Sequence, residues 1–261
     1  MKRIAATFAR SRADRRLALL AYFTVGYPSL DATPELVEAA AAVGADAIEL
    51  GIPFSDPLAD GPTIQAASQV ALKGGVTVER ALETARAARA KVEVPILFMT
   101  YINPILAYGV DRFARRARDA GIDGLIVPDL PAGEAEPVQA AAASAGLDLV
   151  FFVAPTSSEA GLAAACRAAT GFVYCIAVTG VTGARGGLDP ALLPLIDRIR
   201  RHTSLPVVVG FGISRPEHLA ALAGKADGVI VASALLDAIG KAPDDPAEQV
   251  RAFLRGLRSA S

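Results

Sequence analysis

The chain has 261 residues, of which 52% are apolar and 20% are charged, and its formal net charge is −1. This composition is typical of a globular protein with a large core. The balanced charge argues against a general electrostatic attraction to nucleic acid or to an anionic membrane. No shift in composition marks a second domain, so we expect a single domain over residues 1–261.

The first sixteen residues contain several arginines and no apolar signal-peptide core. We therefore expect a short amphipathic N-terminal helix there, rather than a signal or transit peptide. Cys166 and Cys175 form no CxxC pair, and free thiols in a reducing compartment are expected. No apolar run approaches the ~20 residues of a membrane span. Together these features predict a cytoplasmic protein.

Short apolar runs alternate with alanine-rich helical stretches along the whole chain. The runs that we interpret as strands are Ala18–Thr24, Ala47–Leu50, Pro95–Met99, Gly124–Val127, Asp148–Val153, Gly171–Ile176, Pro206–Val209 and Gly228–Val231. Eight such strands, spaced by about 30 residues, predict an α/β fold of the (β/α)8 TIM-barrel type with an additional N-terminal helix. An open doubly wound sheet is the alternative, which the strand count disfavours.

Two helix starts can be located from capping signals. Thr33 is a predicted N-cap before Pro34, and Gly44 is predicted to end that helix. Asp245 and Pro246 are predicted to start the last helix. One face of that helix carries the apolar residues Val250, Phe253, Leu254 and Leu257.

The most informative segment is ELGIPFSDPLADGP at residues 49–62. Glu49 closes a predicted strand, and alternation points it into the barrel if Ile48 and Leu50 face the helices. Partial desolvation would raise its pKa and suit it to acid–base chemistry, whereas the alternative is a rim acid paired with an arginine or lysine. Asp56 and Asp60 in the following loop are either functional carboxylates or turn formers.

Three further segments follow predicted strand ends, where barrel enzymes carry their sites. Residues 180–187, GVTGARGG, predict a lid, a phosphate-binding loop or a flexible surface loop. Residues 210–214 and Ala232–Ser233 follow strands seven and eight, where backbone N–H groups of a helix start often bind phosphate. Tight turns between strand and helix are the alternative.

Other chemistries find little support in the sequence. His202 and His218 have no metal-ligand companion at useful spacing, so we expect structural or exposed roles and no metal site. No nucleophile elbow occurs. The lysines Lys73, Lys91, Lys225 and Lys241 all fall in predicted helices or connections, away from strands, which argues against a Schiff-base lysine.

The chain resembles the tryptophan synthase alpha chain family over nearly its whole length. The stretches that carry the resemblance are AYFTVGYPS (21–29), ELGIPFSDPLADGPTIQ (49–65), MTYINPI (99–105), VPDLP (127–131), GVTGARGG (180–187), GFGIS (210–214) and ASALL (232–236). The resemblance implies a lyase that cleaves indole-3-glycerol phosphate to indole and glyceraldehyde 3-phosphate. It implies no metal or organic cofactor in this chain.

The resemblance also assigns residues. Glu49 is implied as the general acid–base, Asp60 as the carboxylate at the indole N–H, and Tyr174 as a hydroxyl that orients Glu49. The implied substrate-binding residues are Tyr22, Ile64, Met99, Tyr101, Asp129, Thr182, Gly183, Phe211, Gly212, Ala232 and Ser233.

A beta chain that uses pyridoxal phosphate is the implied partner, in an alpha2beta2 heterotetramer. Asp56, Pro57 and Gly180 would lie at that interface.

Two residues depart from the family pattern: Ala232 replaces a usual glycine, and Ala21 replaces an expected proline. Three alternatives remain open: a partner-activating module without turnover, a lyase that works without a beta chain, and another phosphosugar-handling barrel enzyme.

Overall fold

The computed structural model describes residues 2–176, 190–210, 212–242 and 244–258. Eight parallel strands follow one another around a closed barrel, with β1 pairing to β8. The strands are β1 (Ala18–Thr24), β2 (Ala47–Gly51), β3 (Ile96–Met99), β4 (Gly124–Ile126), β5 (Asp148–Val153), β6 (Val173–Ile176), β7 (Val207–Gly210) and β8 (Gly228–Val231). The predicted TIM barrel is therefore confirmed, and the open sheet is excluded.

One or two described α-helices follow each strand, and one helix precedes the first strand. They are α1 (Arg3–Ala13), α2 (Ala32–Ala42), α3 (Pro62–Lys73), α4 (Val78–Arg89), α5 (Ile102–Tyr108), α6 (Val110–Asp119), α7 (Glu136–Ala145), α8 (Glu159–Ala168), α9 (Leu192–Arg200), α10 (Pro216–Leu222), α11 (Ser233–Lys241) and α12 (Pro246–Arg258), with a short 3-10 helix at Ala132–Glu134. The predicted N-terminal helix is α1. None of the helices in the described part of the chain combines the length and apolar character needed to cross a membrane.

Small differences from the predicted elements have local causes. β6 begins at Val173 because Gly171 has a φ of +78°, outside the extended region. The prediction of Thr33 as an N-cap is wrong, since α2 begins at Ala32 and the Thr33 hydroxyl instead accepts a hydrogen bond from Gly26 N–H. At the last helix the prediction holds, because Asp245 accepts from Glu248 N–H in front of the helix.

α1 covers the N-terminal end of the barrel. Ile4 and Phe8 are buried, and the Phe8 ring lies 5.7 Å from that of Phe172. Basic residues on and beside α1 form ion pairs with acids at the starts of four different strands: Lys2–Asp148, Arg3–Asp123, Arg12–Asp227 and Arg16–Asp46. The opposite, C-terminal end of the barrel is left for loops and for a cavity.

Candidate active site

A cavity of about 590 Å³ opens at the C-terminal ends of the strands. It lies where barrel enzymes carry their sites, and its volume falls in the usual range for small-molecule pockets. Aromatic and aliphatic side chains dominate one part, and small residues of α11 and its preceding loop form another. The lining residues are Tyr22, Ala59, Asp60, Gly61, Ile64, Met99, Pro128, Phe152, Tyr174, Ile176, Gly212, Ile213, Ser214, Ile230, Ala232, Ser233, Ala234 and Asp237.

Glu49 lies inside the barrel beside this cavity. It is the register partner of Tyr22, which lines the cavity, so both side chains lie on the inner face of the sheet. Its exposed fraction is 0%, and burial raises its pKa to about 8. Neither carboxyl oxygen has a hydrogen-bond partner among the described residues. Within that part of the chain, Glu49 is therefore not the rim acid of an ion pair, and it is neutral near pH 7.

Asp60 lines the cavity at the end of the loop that follows β2. Burial raises its pKa to about 6, and a hydrogen bond with the Tyr101 hydroxyl limits the rise. The same hydroxyl accepts from Ala59 N–H at 2.9 Å, while Gln65 donates to the Asp60 carbonyl oxygen at 2.9 Å. The loop is thus held from both sides. At pH 7 Asp60 is mostly ionised, whereas Glu49 is mostly protonated.

The two acids share the same neighbours. The charges of Glu49 and Asp60 both raise the pKa of Tyr22, although burial is the larger cause. The pKa of Tyr174 is raised by burial first and then by the same two carboxyl groups. Glu49 is the register partner of Tyr22, and Asp60 lines the same cavity as Tyr22 and Tyr174, so both acids lie near one pair of tyrosines. The acids predicted from separate positions in the sequence are therefore gathered at one site.

Two glycines make room for these tyrosines. A methyl group built on Gly51 would lie 2.0 Å from the Tyr22 hydroxyl oxygen. One built on Gly210 would lie 2.3 Å from the Tyr174 ring. Neither glycine has a positive φ, so each is required by the close approach of a side chain and not by its backbone conformation.

The predicted phosphate-binding residues lie partly within the described chain. Gly212, Ala232 and Ser233 line the cavity, and Ser233 opens α11, where the first N–H groups have no carbonyl partner within the helix. Ala232 has a φ of −124°, so its backbone does not demand glycine. The predicted residues Thr182, Gly183 and Phe211, and the predicted interface residue Gly180, lie outside the described residues.

The remaining predicted residues take several positions. Ile64 and Met99 line the cavity, whereas Tyr101 lies behind Asp60 and stacks near Phe54 with 5.4 Å between ring centroids. The Asp129 carboxylate accepts from Ile102 N–H at 2.9 Å, at the start of α5, and faces a neighbouring cavity. The predicted interface residues Asp56 and Pro57 lie in the loop after β2; Asp56 is exposed and Pro57 half-buried.

Sequence reasoning missed three residues of this region. Phe152 lines the cavity and stacks on Tyr174 with ring centroids 4.4 Å apart. Inward–outward alternation along the predicted fifth strand would have indicated that one of its two adjacent phenylalanines faces the barrel. Asp237 lines the cavity from α11. Leu58 is 95% exposed beside Pro57, and exposure cannot be read from the sequence.

Comparison with known proteins identifies the family. The family model described as tryptophan synthase alpha chain matches residues 8–259. A tryptophan synthase alpha chain of Roseiflexus sp. is 52% identical over 99% of this chain and 100% of the relative. One of Geobacter sulfurreducens is 45% identical over 100% of this chain and 99% of the relative.

Solved structures give the same result. A tryptophan synthase structure of Mycobacterium tuberculosis has a TM-score of 0.91 at 40% identity, covering 99% of this chain and 98% of that chain. The tryptophan synthase subunit alpha of Legionella pneumophila has a TM-score of 0.91 at 37% identity, covering 100% of this chain and 98% of that one. On its fold, its site and these similarities, the chain belongs to the tryptophan synthase alpha chain family.

Proposed function

We propose that Glu49 and Asp60 together cleave indole-3-glycerol phosphate in the cavity described above. The chain is a lyase of tryptophan biosynthesis that releases indole and glyceraldehyde 3-phosphate, as its family membership establishes. Membership in the family also disfavours a different phosphosugar-handling barrel enzyme. What remains to be assigned is the role of each residue.

Glu49 is the general acid–base. A carboxyl group that is protonated near neutral pH can give its proton to the indole ring carbon that bears the glycerol chain. The ring then carries positive charge, and the bond to the side chain weakens. The carboxylate so formed accepts the proton of the glycerol hydroxyl next to that bond. The C–C bond breaks as the hydroxyl becomes the aldehyde of glyceraldehyde 3-phosphate, and the bonding electrons restore the indole ring.

Asp60 stabilises the charged ring. Its ionised carboxylate accepts a hydrogen bond from the indole N–H, which becomes more acidic when the ring carbon is protonated. Tyr101 helps to fix the position of that carboxylate by its hydrogen bond. These two roles require one protonated and one ionised acid before the reaction begins. The different degrees of burial of Glu49 and Asp60 support that difference in protonation.

The lining of the cavity suits the two ends of this substrate. Tyr22, Phe152 and Tyr174 supply aromatic surface for a flat ring, and Ile64 and Met99 add aliphatic contacts. At the other part, Gly212, Ala232 and Ser233 lie beside the start of α11. Helix N-termini favour anions, so the phosphate is proposed to bind there. Thr182, Gly183 and Phe211 remain predicted contacts, as does Asp129.

The single observation that carries this proposal is the state of Glu49, fully buried without a hydrogen-bond partner among the described residues. Buried carboxyl groups normally have partners, so such a group is poised for a ligand. In this arrangement Tyr174 does not bond to Glu49, and its orienting role is proposed for the substrate-bound state.

An indole-release assay tests these roles, using wild type beside Glu49→Gln and Asp60→Asn. We expect kcat to fall by about 10²–10⁴-fold for Glu49→Gln and by about 10²–10³-fold for Asp60→Asn, with both proteins folded. Glu49→Gln keeps the size of the side chain and removes only the transferable proton. Comparable turnover in wild type and Glu49→Gln would refute the assignment.

A beta-chain partner follows from the family. We further propose an alpha2beta2 heterotetramer in which the beta chain holds pyridoxal phosphate. Asp56, Pro57 and Gly180 remain the predicted contacts. The exposed Leu58 supports an interface at the loop after β2, which contains Asp56 and Pro57. Adding a beta chain to the indole assay distinguishes a partner-dependent enzyme from one that works alone. Turnover by wild type excludes a module without activity. The cytoplasmic location stays a prediction.

A further inference from the structure

Asp237 lines the substrate cavity but takes no part in the chemistry above. It follows Ser233 by four residues on α11, so the two side chains lie on one face of the helix, about 6 Å apart along its axis. A negative group therefore lies within one helical turn of the N–H groups to which the phosphate is assigned. Like charges at such a distance repel each other.

The contacts of Asp237 hold it in this position. The Thr63 hydroxyl donates to its Oδ1 at 3.1 Å, and Thr63 belongs to the first turn of α3, just after Asp60. The charge of Asp237 also raises the pKa of Tyr27, after burial as the larger cause. Lys241 lies one turn further along α11, and in the described parts of the chain no ion pair of Asp237 with it or with another cation is found.

We propose that Asp237 is a specificity-determining residue that weakens the binding of doubly charged phosphate ligands by electrostatic repulsion. The inference rests on the proposed function, because that function places the phosphate at the start of α11. The phosphate takes no part in the bond changes, so a charge that repels it acts on substrate and transition state alike. Its effect therefore lies on KM and not on kcat. Because Asp237 is solvent-exposed, salt screens the effect.

The test is Asp237→Asn, which removes the charge and keeps an oxygen for the Thr63 hydroxyl. At about 20 mM salt we expect KM for indole-3-glycerol phosphate to fall by about three- to tenfold with kcat unchanged. At about 500 mM salt the difference should nearly vanish. Inorganic phosphate, used as a competing ligand, should inhibit the variant more strongly by the same factor.

Two control variants separate charge from structure. Asp197→Asn removes the same charge from an exposed site on α9 and should leave KM unchanged. Thr63→Val removes the hydrogen bond but keeps the carboxylate, and no fall in KM is expected. An unchanged or higher KM in Asp237→Asn would overturn the inference, as would an equal fall in Thr63→Val.

Failure of the proposed function is a separate result. A wild type that released no indole would contradict that function directly. Calorimetric binding of inorganic phosphate to wild type and Asp237→Asn would still show whether the carboxylate opposes the anion, since this measurement needs no turnover.

Discussion

The ring of Tyr174 lies directly against Gly210 of the neighbouring strand β7, closer than any side chain on residue 210 would permit. On its other side the ring stacks on Phe152 at 4.4 Å. Tyr174 is thus fixed between a glycine and an aromatic ring, with its hydroxyl among the groups that surround Glu49. The position of this tyrosine therefore depends on the absence of one methyl group.

Gly210→Ala should displace Tyr174 and disturb the cavity. We expect kcat/KM for indole release to fall by about 10²-fold, because small displacements in an active site are costly. The free energy of unfolding should fall by about 1–3 kcal/mol from overpacking. Gly256→Ala is the matched control, since a methyl group there has no heavy atom within 4 Å. Wild-type turnover in Gly210→Ala would contradict the assigned role of Tyr174.

Glu49→Gln should change how stability depends on pH. The folded-state pKa of Glu49 is about 8, raised from an ordinary 4.5, so the folded protein binds the proton more tightly than the unfolded chain. The stability of wild type relative to Glu49→Gln is therefore greatest below pH 4.5 and is lost as pH rises to about 8. The full change should be about 3–5 kcal/mol.

Urea unfolding of both proteins from about pH 4 to about pH 9 measures this difference. Taking the difference cancels the titration of other acids that both proteins share. Glu83→Gln, an exposed acid on α4, should follow wild type throughout. A difference that stayed constant across the range would show that Glu49 has an ordinary pKa.

Asp123→Leu should destabilise the barrel without altering its chemistry. Asp123 is 6% exposed, accepts from Ile96 N–H at 3.0 Å, and pairs with Arg3 and Arg89 at 3.2 Å. Removing one partner of a buried ion pair typically costs about 3–5 kcal/mol. Denaturant unfolding should show that loss, whereas Asp119→Leu, at an exposed position on α6, should lose much less. Turnover per folded molecule should remain at the wild-type value, because Asp123 lies at the opposite end of the barrel.

Leu58→Ser should weaken binding to a beta chain and leave the isolated chain as stable as before. Leu58 is 95% exposed, so its replacement removes no internal contact. A leucine buried in an interface contributes about 1.5–3 kcal/mol, which corresponds to roughly 10- to 150-fold in Kd. Calorimetry with a tryptophan synthase beta chain measures the Kd of wild type and of the variant. Val70→Ser, at a 44% exposed position on α3, should keep the wild-type Kd. Equal losses in both variants would argue against a specific contact.

The barrel could be predicted from the sequence because each strand corresponds to a continuous apolar run between alanine-rich helices. The prediction was wrong only at the ends of helices and strands, where single residues determine which residue begins the element. Gly171 leaves the extended region, and the Thr33 side chain finds Gly26 as its partner instead of its own helix. Helix and strand propensities predict neither fact, since one is a positive φ at a single glycine and the other is a hydrogen bond from the turn after β1.

Only part of the site could be predicted from the sequence. Glu49 and Asp60 stand near one strand end, so their common location could be expected. Their opposite protonation states could not, because these depend on burial and on the hydrogen bond that Tyr101 makes. Asp237 escaped notice because an acid within a helix is ordinarily solvent-exposed, and only the cavity shows what it faces.

The ion pairs of α1 have a consequence for the order of folding. Lys2 pairs with Asp148 and Arg12 with Asp227, partners that follow in the sequence by 146 and 215 residues. Joining such distant points costs chain entropy that nearby contacts do not incur. Lys2 and Arg12 therefore have no partners until strands from the second half of the chain have been made. Docking of α1 should therefore be completed late, after the start of β8 has left the ribosome.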